Sequence, residues 1–251
     1  MIGRMPRAAL VVTCVSIQLL TALQAKAAVT VATVGDSLAD AIYLGLKLQP
    51  DVLRKNGINL VRWSRPKIGL TRIDYFDYAG WLRDTKEIGN ADFCVVEMGA
   101  NDLQSISTGD QKWLRVGTDA WQHAYADRVL ALVKLLKARR CGTVVWLLQP
   151  AYQKNRFLGQ YHDMMKSVQM AGTAAGAVAF EIDAGNDDYS PDGVHPNKQF
   201  CFKLGKAVAN LVAEWGSSSG SNCASCHASP EPVLNAARLA DVAPLIPQRT
   251  E

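Results

Sequence analysis

Three short polar stretches of this chain carry residue types suited to acyl transfer. In Gly35-Asp36-Ser37-Leu38 a serine follows the apolar run Thr30 to Val34 and precedes a helical pattern opening with Ala39-Asp40-Ala41. On such a strand-to-helix turn, unpaired backbone N–H groups and the positive end of a helix lie beside the hydroxyl and can hold a forming oxyanion. In Ser190-Pro191-Asp192-Gly193-Val194-His195-Pro196 an Asp stands three residues before a His in a Pro/Gly-rich loop. That spacing lets Asp192 accept from His195 Nδ1 and leaves Nε2 free to take a serine proton. In Gly99-Ala100-Asn101-Asp102, after the apolar run Ala91 to Met98, the Asn101 amide can donate into the same cleft.

Each stretch also has a plainer reading. Ser and Asp are preferred helix caps, a loop His can simply bond the backbone, and Asn favours left-handed turns. Asp36 and Asp102 are expected to be structural, tying loops together through backbone N–H groups. Three separate elements in one chain order favour the catalytic reading for Ser37, Asp192 and His195.

Together the three blocks resemble those of the SGNH hydrolases, or GDSL esterases, from about Val31 to Trp215. The resemblance implies Ser37 as nucleophile, His195 as general base and then acid, and Asp192 as the residue that orients His195. It also implies an oxyanion hole of the Ser37 N–H, the Asn101 side chain and a glycine N–H after the second strand. Gly69, in Ser64-Arg65-Pro66-Lys67-Ile68-Gly69-Leu70-Thr71-Arg72, is the candidate for that glycine. Gly-Leu-Thr-Arg, Asp-Tyr-Phe-Asp and Gly-Ala-Asn-Asp together are similar to an exported bacterial branch of the superfamily known as a domain of unknown function.

The elements that must position these residues are legible as five apolar runs: Thr30 to Val34, Ile58 to Trp63, Ala91 to Met98, Gly142 to Leu148 and Ala177 to Ile182. Helical patterns separate them, at Leu38 to Gln49, Asp74 to Glu87, Thr118 to Arg139, Gly159 to Gly176 and Asn197 to Trp215. Continuous apolar strands alternating with helices predict a parallel sheet covered on both faces, an α/β/α sandwich. The resemblance makes this flavodoxin-like. In such sheets ligands sit beyond the carboxyl ends of the strands, and Ser37, Gly69, Asn101 and Gln149 all follow strand ends. Trp121, Tyr125, Val129, Leu132, Val133 and Leu136 recur at helical steps and mark a core-facing stripe.

Arg4 and Arg7, an apolar run from Ala8 to Leu23, and Ala25-Lys26-Ala27 read as a secretory signal cut after Ala27. The apolar run is short and broken by Thr13, Ser16 and Gln18, which argues against a retained membrane anchor. The expected organisation is a signal over 1–27, a catalytic domain over 28–215 and a flexible tail over 216–251 that begins with a Gly/Ser linker. Three of the four net positive charges lie in the signal, leaving about +1. That balance argues against a nucleic-acid partner. The expected location is periplasmic or secreted.

Arg62, Arg65, Lys67 and Arg72 cluster around the second-strand loop, and Lys154 and Arg156 follow Pro150 after the fourth strand. Either they are a solvated charged surface, or Arg65 and Arg72 bind a negatively charged substrate. Tyr75, Phe76, Tyr78 and Trp81 read as packing or as a sugar-stacking platform. Cys94 reads as a small buried hydrophobe. Cys223-Ala224-Ser225-Cys226-His227 matches c-type haem attachment, but no Met, His or Lys follows to supply an axial ligand. A local disulfide or a chance pairing of the motif is the preferred reading there, and no cofactor is expected. The favoured function is an esterase, deacetylase or acyltransferase, taking short acyl esters of a small molecule or envelope glycan. Rival readings are a thioesterase or lysophospholipase, a non-catalytic glycan-binding assembly factor, and a haem-tethered redox protein.

Overall fold

A computed structural model describes residues 28–86, 89–109 and 112–218. The signal segment, most of the tail, and the Cys223, Cys226 and His227 motif lie outside the described residues. Five strands, β1 (Val29–Gly35), β2 (Ile58–Ser64), β3 (Ala91–Glu97), β6 (Cys141–Leu148) and β7 (Val178–Glu181), form one sheet in the order β2-β1-β3-β6-β7. Every pairing in it is parallel. A separate two-residue hairpin, β4 (Ile106–Ser107) with β5 (Trp113–Leu114), rises from the connection after β3.

The helices are α1 (Ser37–Lys47), α2 (Pro50–Asn56), α3 (Tyr78–Asp84), α4 (Asp119–Arg139), α5 (Arg156–Gly159), α6 (His162–Gln169), α7 (Ala171–Ala174) and α8 (Lys198–Ser218). They divide the buried apolar side chains into two layers. On one face Trp121, Tyr125, Val129, Leu132, Val133 and Leu136 of α4 pack against Val96, Val144 and Trp146. On the other, Ile42 and Leu46 of α1 and Val208 and Val212 of α8 pack against Val31, Val95 and Val145. Each fully buried side chain of this size contributes about 1.5–3 kcal/mol, so the central strands, covered on both sides, form the most firmly held part of the scaffold. The expected three-layer α/β/α sandwich is the observed architecture.

Four local readings change. The helix expected over Asp74 to Glu87 is only α3, because Asp77 caps it by accepting from the Gly80 N–H at 2.9 Å. The pattern from Gly159 to Gly176 is covered by two short helices, α6 and α7, with α5 ending at Gly159. α2 went unrecognised, and it buries no residue. Cys94 is not a free hydrophobe: it forms a disulfide with Cys141 across β3 and β6, with 5.7 Å between the Cα atoms, and Cys201 is the free cysteine among the described residues.

Candidate active site

All five sheet strands run the same way, so their carboxyl ends share one rim, and the strand order reverses between β1 and β3. Ser37 follows β1 and Asn101 follows β3, at the two sides of that switch point. The turn into Ser37 is shaped by Gly35, whose φ of +136° and closeness to β3 exclude a side chain: a Cβ there would lie 2.0 Å from the Glu97 carbonyl oxygen. Tyr78, buried, fixes the same turn by accepting from the Gly35 N–H at 2.9 Å and donating to the Trp63 carbonyl at 2.7 Å.

Ser37 Oγ lies 2.9 Å from His195 Nε2, and His195 Nδ1 lies 2.6 Å from Asp192 Oδ2. The carboxylate fixes the tautomer: Nδ1 donates to Asp192, so Nε2 accepts from the serine hydroxyl. The other Asp192 oxygen accepts from the N–H groups of Val194 and His195 at 2.9 and 3.0 Å. Burial pushes the Asp192 carboxyl up, but these N–H groups and the imidazole outweigh it and hold the group below the usual carboxylate range. The three residues expected to act together are therefore joined in one hydrogen-bonded line.

Asp36 caps α1 by accepting from the Leu38 N–H at 2.8 Å. Its second oxygen accepts from Gly99 N–H at 3.2 Å and from Asn101 Nδ2 at 3.4 Å. Asn101 Nδ2 also donates to the Ile68 carbonyl at 3.0 Å, which ties the Gly69 loop to the Asn101 loop. Both N–H groups of the amide are thus engaged at rest, and donation to an oxyanion needs one of them to exchange its partner. The N–H groups of Ser37 and Gly69 have no acceptor among the described residues. Asp102 holds the Gly69 loop from below: its Oδ1 accepts from Thr71 N–H at 3.0 Å and Thr71 Oγ1 at 3.2 Å, and its Oδ2 from Tyr125 OH at 2.9 Å. Arg128 of α4 donates to the carbonyls of Leu70 and Thr71. The expectation that Asp36 and Asp102 tie loops together agrees with these bonds.

Burial pushes the Asp36 carboxyl up to about 7, with the charge of Asp102 adding to it and the N–H groups of Leu38 and Gly99 opposing. It pushes Glu97 well above the ordinary range too, with Asp36 adding to the effect. Glu97 Oε2 and the hydroxyls of Tyr152 and Tyr189 are buried without a partner among the described residues. They line a small cavity with Leu38 and Val194, the chain neighbours of Ser37 and His195. Sequence reasoning passed over Glu97 and Arg128 and read Tyr125 only as core; a carboxylate closing the apolar run Ala91 to Met98 was the available signal for the first.

Of the clustered cations, Arg62 is bound bidentately by Asp40 at 2.7 and 2.6 Å. Arg72 is bound by Asp74, with Nη2 to Oδ2 at 2.7 Å. Arg65, Lys67, Lys154 and Arg156 form no ion pair among the described residues. Tyr78 is buried and so cannot belong to a stacking platform, while Tyr75 is exposed.

Residues 30–199 match a family described as "Protein of unknown function (DUF459)". No curated protein matches the chain. Among solved structures it is similar to a lipase/acylhydrolase from Enterococcus faecalis, at 15% identity over 74% of this chain and 96% of that one, with a TM-score of 0.51. It is also similar to an acetyl xylan esterase, AlAXEase, at 15% identity over 75% of this chain and 99% of that one, with a TM-score of 0.50. The chain shares its fold with these two enzymes, and by its matched span it belongs to the DUF459 family.

Proposed function

We propose that this chain is an exported serine esterase acting on short acyl esters of an envelope glycan, by hydrolysis or by transfer to another hydroxyl. The observation that carries the reading is the line Ser37–His195–Asp192. His195 Nε2 takes the Ser37 proton as Oγ attacks the ester carbonyl, and Asp192 stabilises the imidazolium that forms. The oxyanion is held by the Ser37 and Gly69 N–H groups, joined by Asn101 once its amide exchanges a partner. His195 then protonates the leaving alcohol, and water or a second alcohol, deprotonated by the same imidazole, releases the acyl group.

Two features support a large, polar alcohol component. The side chains of His195 and Asp192 are 48% and 49% exposed, so the reacting centre opens directly to solvent. Exposed Tyr75, Trp113 and Phe157 belong to the connections that follow β2, β3 and β6, where faces of sugar rings can stack. The buried Cys94–Cys141 disulfide supports an oxidising compartment. Among the described residues no helix is long and apolar enough to cross a membrane.

The test is turnover of p-nitrophenyl acetate and of acetylated oligosaccharides by the wild type and Ser37→Ala. The variant is expected to lose at least about 10³-fold in kcat. Equal rates would reject the enzyme.

A further inference from the structure

Three cations without carboxylate partners among the described residues are each attached to a different part of the catalytic machinery. The Arg65 N–H donates to the Gly35 carbonyl at 2.9 Å, two residues before Ser37. Its guanidinium lies over the rings of Phe76 and Trp81, at 4.5 and 5.5 Å from their centroids. Stacking of this kind holds the charge in place while leaving its N–H edges available. Lys67 precedes Ile68, whose carbonyl receives the Asn101 amide. With φ of 66° it is the one residue other than glycine in the left-handed region among those described, a conformation that costs about 1 kcal/mol or more in a residue with a Cβ. Lys154 packs under the catalytic loop: a Cβ on Gly193, between Asp192 and His195, would lie 2.8 Å from the Lys154 Cβ.

Asp192, next to the Gly193 that Lys154 contacts, is engaged by His195, and the carboxylates in and around the Arg65 segment are engaged too. Asp40 is held by Arg62, Asp74 by Arg72, and Asp77 caps α3. The segment from Gln149 to Tyr161 contains Lys154 and Arg156 and no acid at all. Positive charge is therefore left uncompensated on both sides of Ser37, in a protein whose net charge without residues 1–27 is only about +1.

We propose that Arg65, Lys67 and Lys154 form an anion-recognising collar, and that the substrate carries a carboxylate or phosphate close to its scissile ester. The proposal rests on the esterase reading and adds the charge of the substrate to it. The anion belongs either to the acyl group, as in a dicarboxylic half-ester, or to the sugar that bears the ester.

Three esters separate these cases: p-nitrophenyl acetate, the p-nitrophenyl half-ester of succinate, and an O-acetylated uronic acid. The readout is the ratio of kcat/KM for each anionic ester over its neutral counterpart, with methyl-esterified uronate as the counterpart of the third. The wild type is expected to prefer one anionic ester by 10-fold or more at low salt, and to lose most of that preference at 0.5 M NaCl. Arg65→Gln, Lys67→Gln and Lys154→Gln are each expected to cut the ratio about 3-fold or more, chiefly through KM, and the triple variant to abolish it. Arg54→Gln, on α2 and paired with Asp51, is the control expected to keep both activity and ratio. A ratio near one in the wild type, or one unmoved by the triple variant, overturns the collar. If no ester is turned over, the esterase reading fails separately; the collar is then judged by quenching of Trp81 fluorescence on titration with succinate or inorganic phosphate. Binding that the triple variant loses supports it, and absence of binding overturns it.

Discussion

Asp36 Oδ2 and Asn101 Nδ2 lie 3.4 Å apart, which joins the residue before Ser37 to the loop that follows the neighbouring strand β3. With its carboxyl pushed up to about 7 by burial, Asp36 changes charge in the range where an esterase works. Below that pH one oxygen carries a proton and the grip on Gly99 and Asn101 weakens, so kcat/KM is expected to fall. Stability responds in the opposite sense. A carboxyl whose folded value exceeds its unfolded value of 3.8 stabilises most below about 4, and that contribution is lost as pH rises through about 7. In Asp36→Asn both dependences should flatten: a shallower acid limb in the rate profile, and less decline in Tm from pH 4 to 7. Identical profiles in the two proteins would show that Asp36 does not titrate there.

Asp192→Asn should keep the fold, because the side chain is half exposed, and should lower kcat on the order of 10³–10⁴-fold by releasing the imidazole from its tautomer. Circular dichroism alongside kinetics checks both halves of this expectation.

At Gly69 the packing is close enough to make a single methyl group matter. A Cβ there would lie 2.1 Å from Asp102 Oδ1, and Asp102 is held on the far side by Tyr125 and Thr71. Gly69→Ala should therefore displace the loop, costing about 1–3 kcal/mol in stability and on the order of 10²-fold in kcat. Denaturant melts with burst-phase kinetics separate the two effects.

The Cys94–Cys141 bridge closes a sequence separation of 47 residues between adjacent strands. The double variant Cys94→Ala/Cys141→Ala should be destabilised by about 2–4 kcal/mol, read as a lower urea midpoint, while retaining catalysis because neither residue approaches the rim. An unchanged midpoint would show that the bridge adds nothing to the packing of β3 on β6.

The sheet was readable in the sequence because parallel strands covered on both faces are apolar at nearly every position, as in Val144, Val145 and Trp146. Ser37, Asp192 and His195 were readable because loop chemistry at strand ends leaves short, recognisable motifs. What escaped notice depends on partners remote in the chain. The pairing of Cys94 with Cys141 is set by the neighbouring of β3 and β6, which no spacing encodes. α2 has no buried face and hence no periodic stripe. The neutralisation of Arg62 and Arg72 arises from Asp40 and Asp74, and it moves the expected anion site from Arg65 and Arg72 to Arg65, Lys67 and Lys154.

Strand β1 enters the sheet at Val29, on the side away from Ser37, and α8 runs back from the catalytic loop until Trp215 packs on Phe93 and Phe180. Both ends of the folded unit therefore leave from the floor of the molecule, opposite its mouth. Fusion partners, affinity handles or immobilising linkers attached at either end of that unit would leave Ser37 and His195 facing outward, clear of the support.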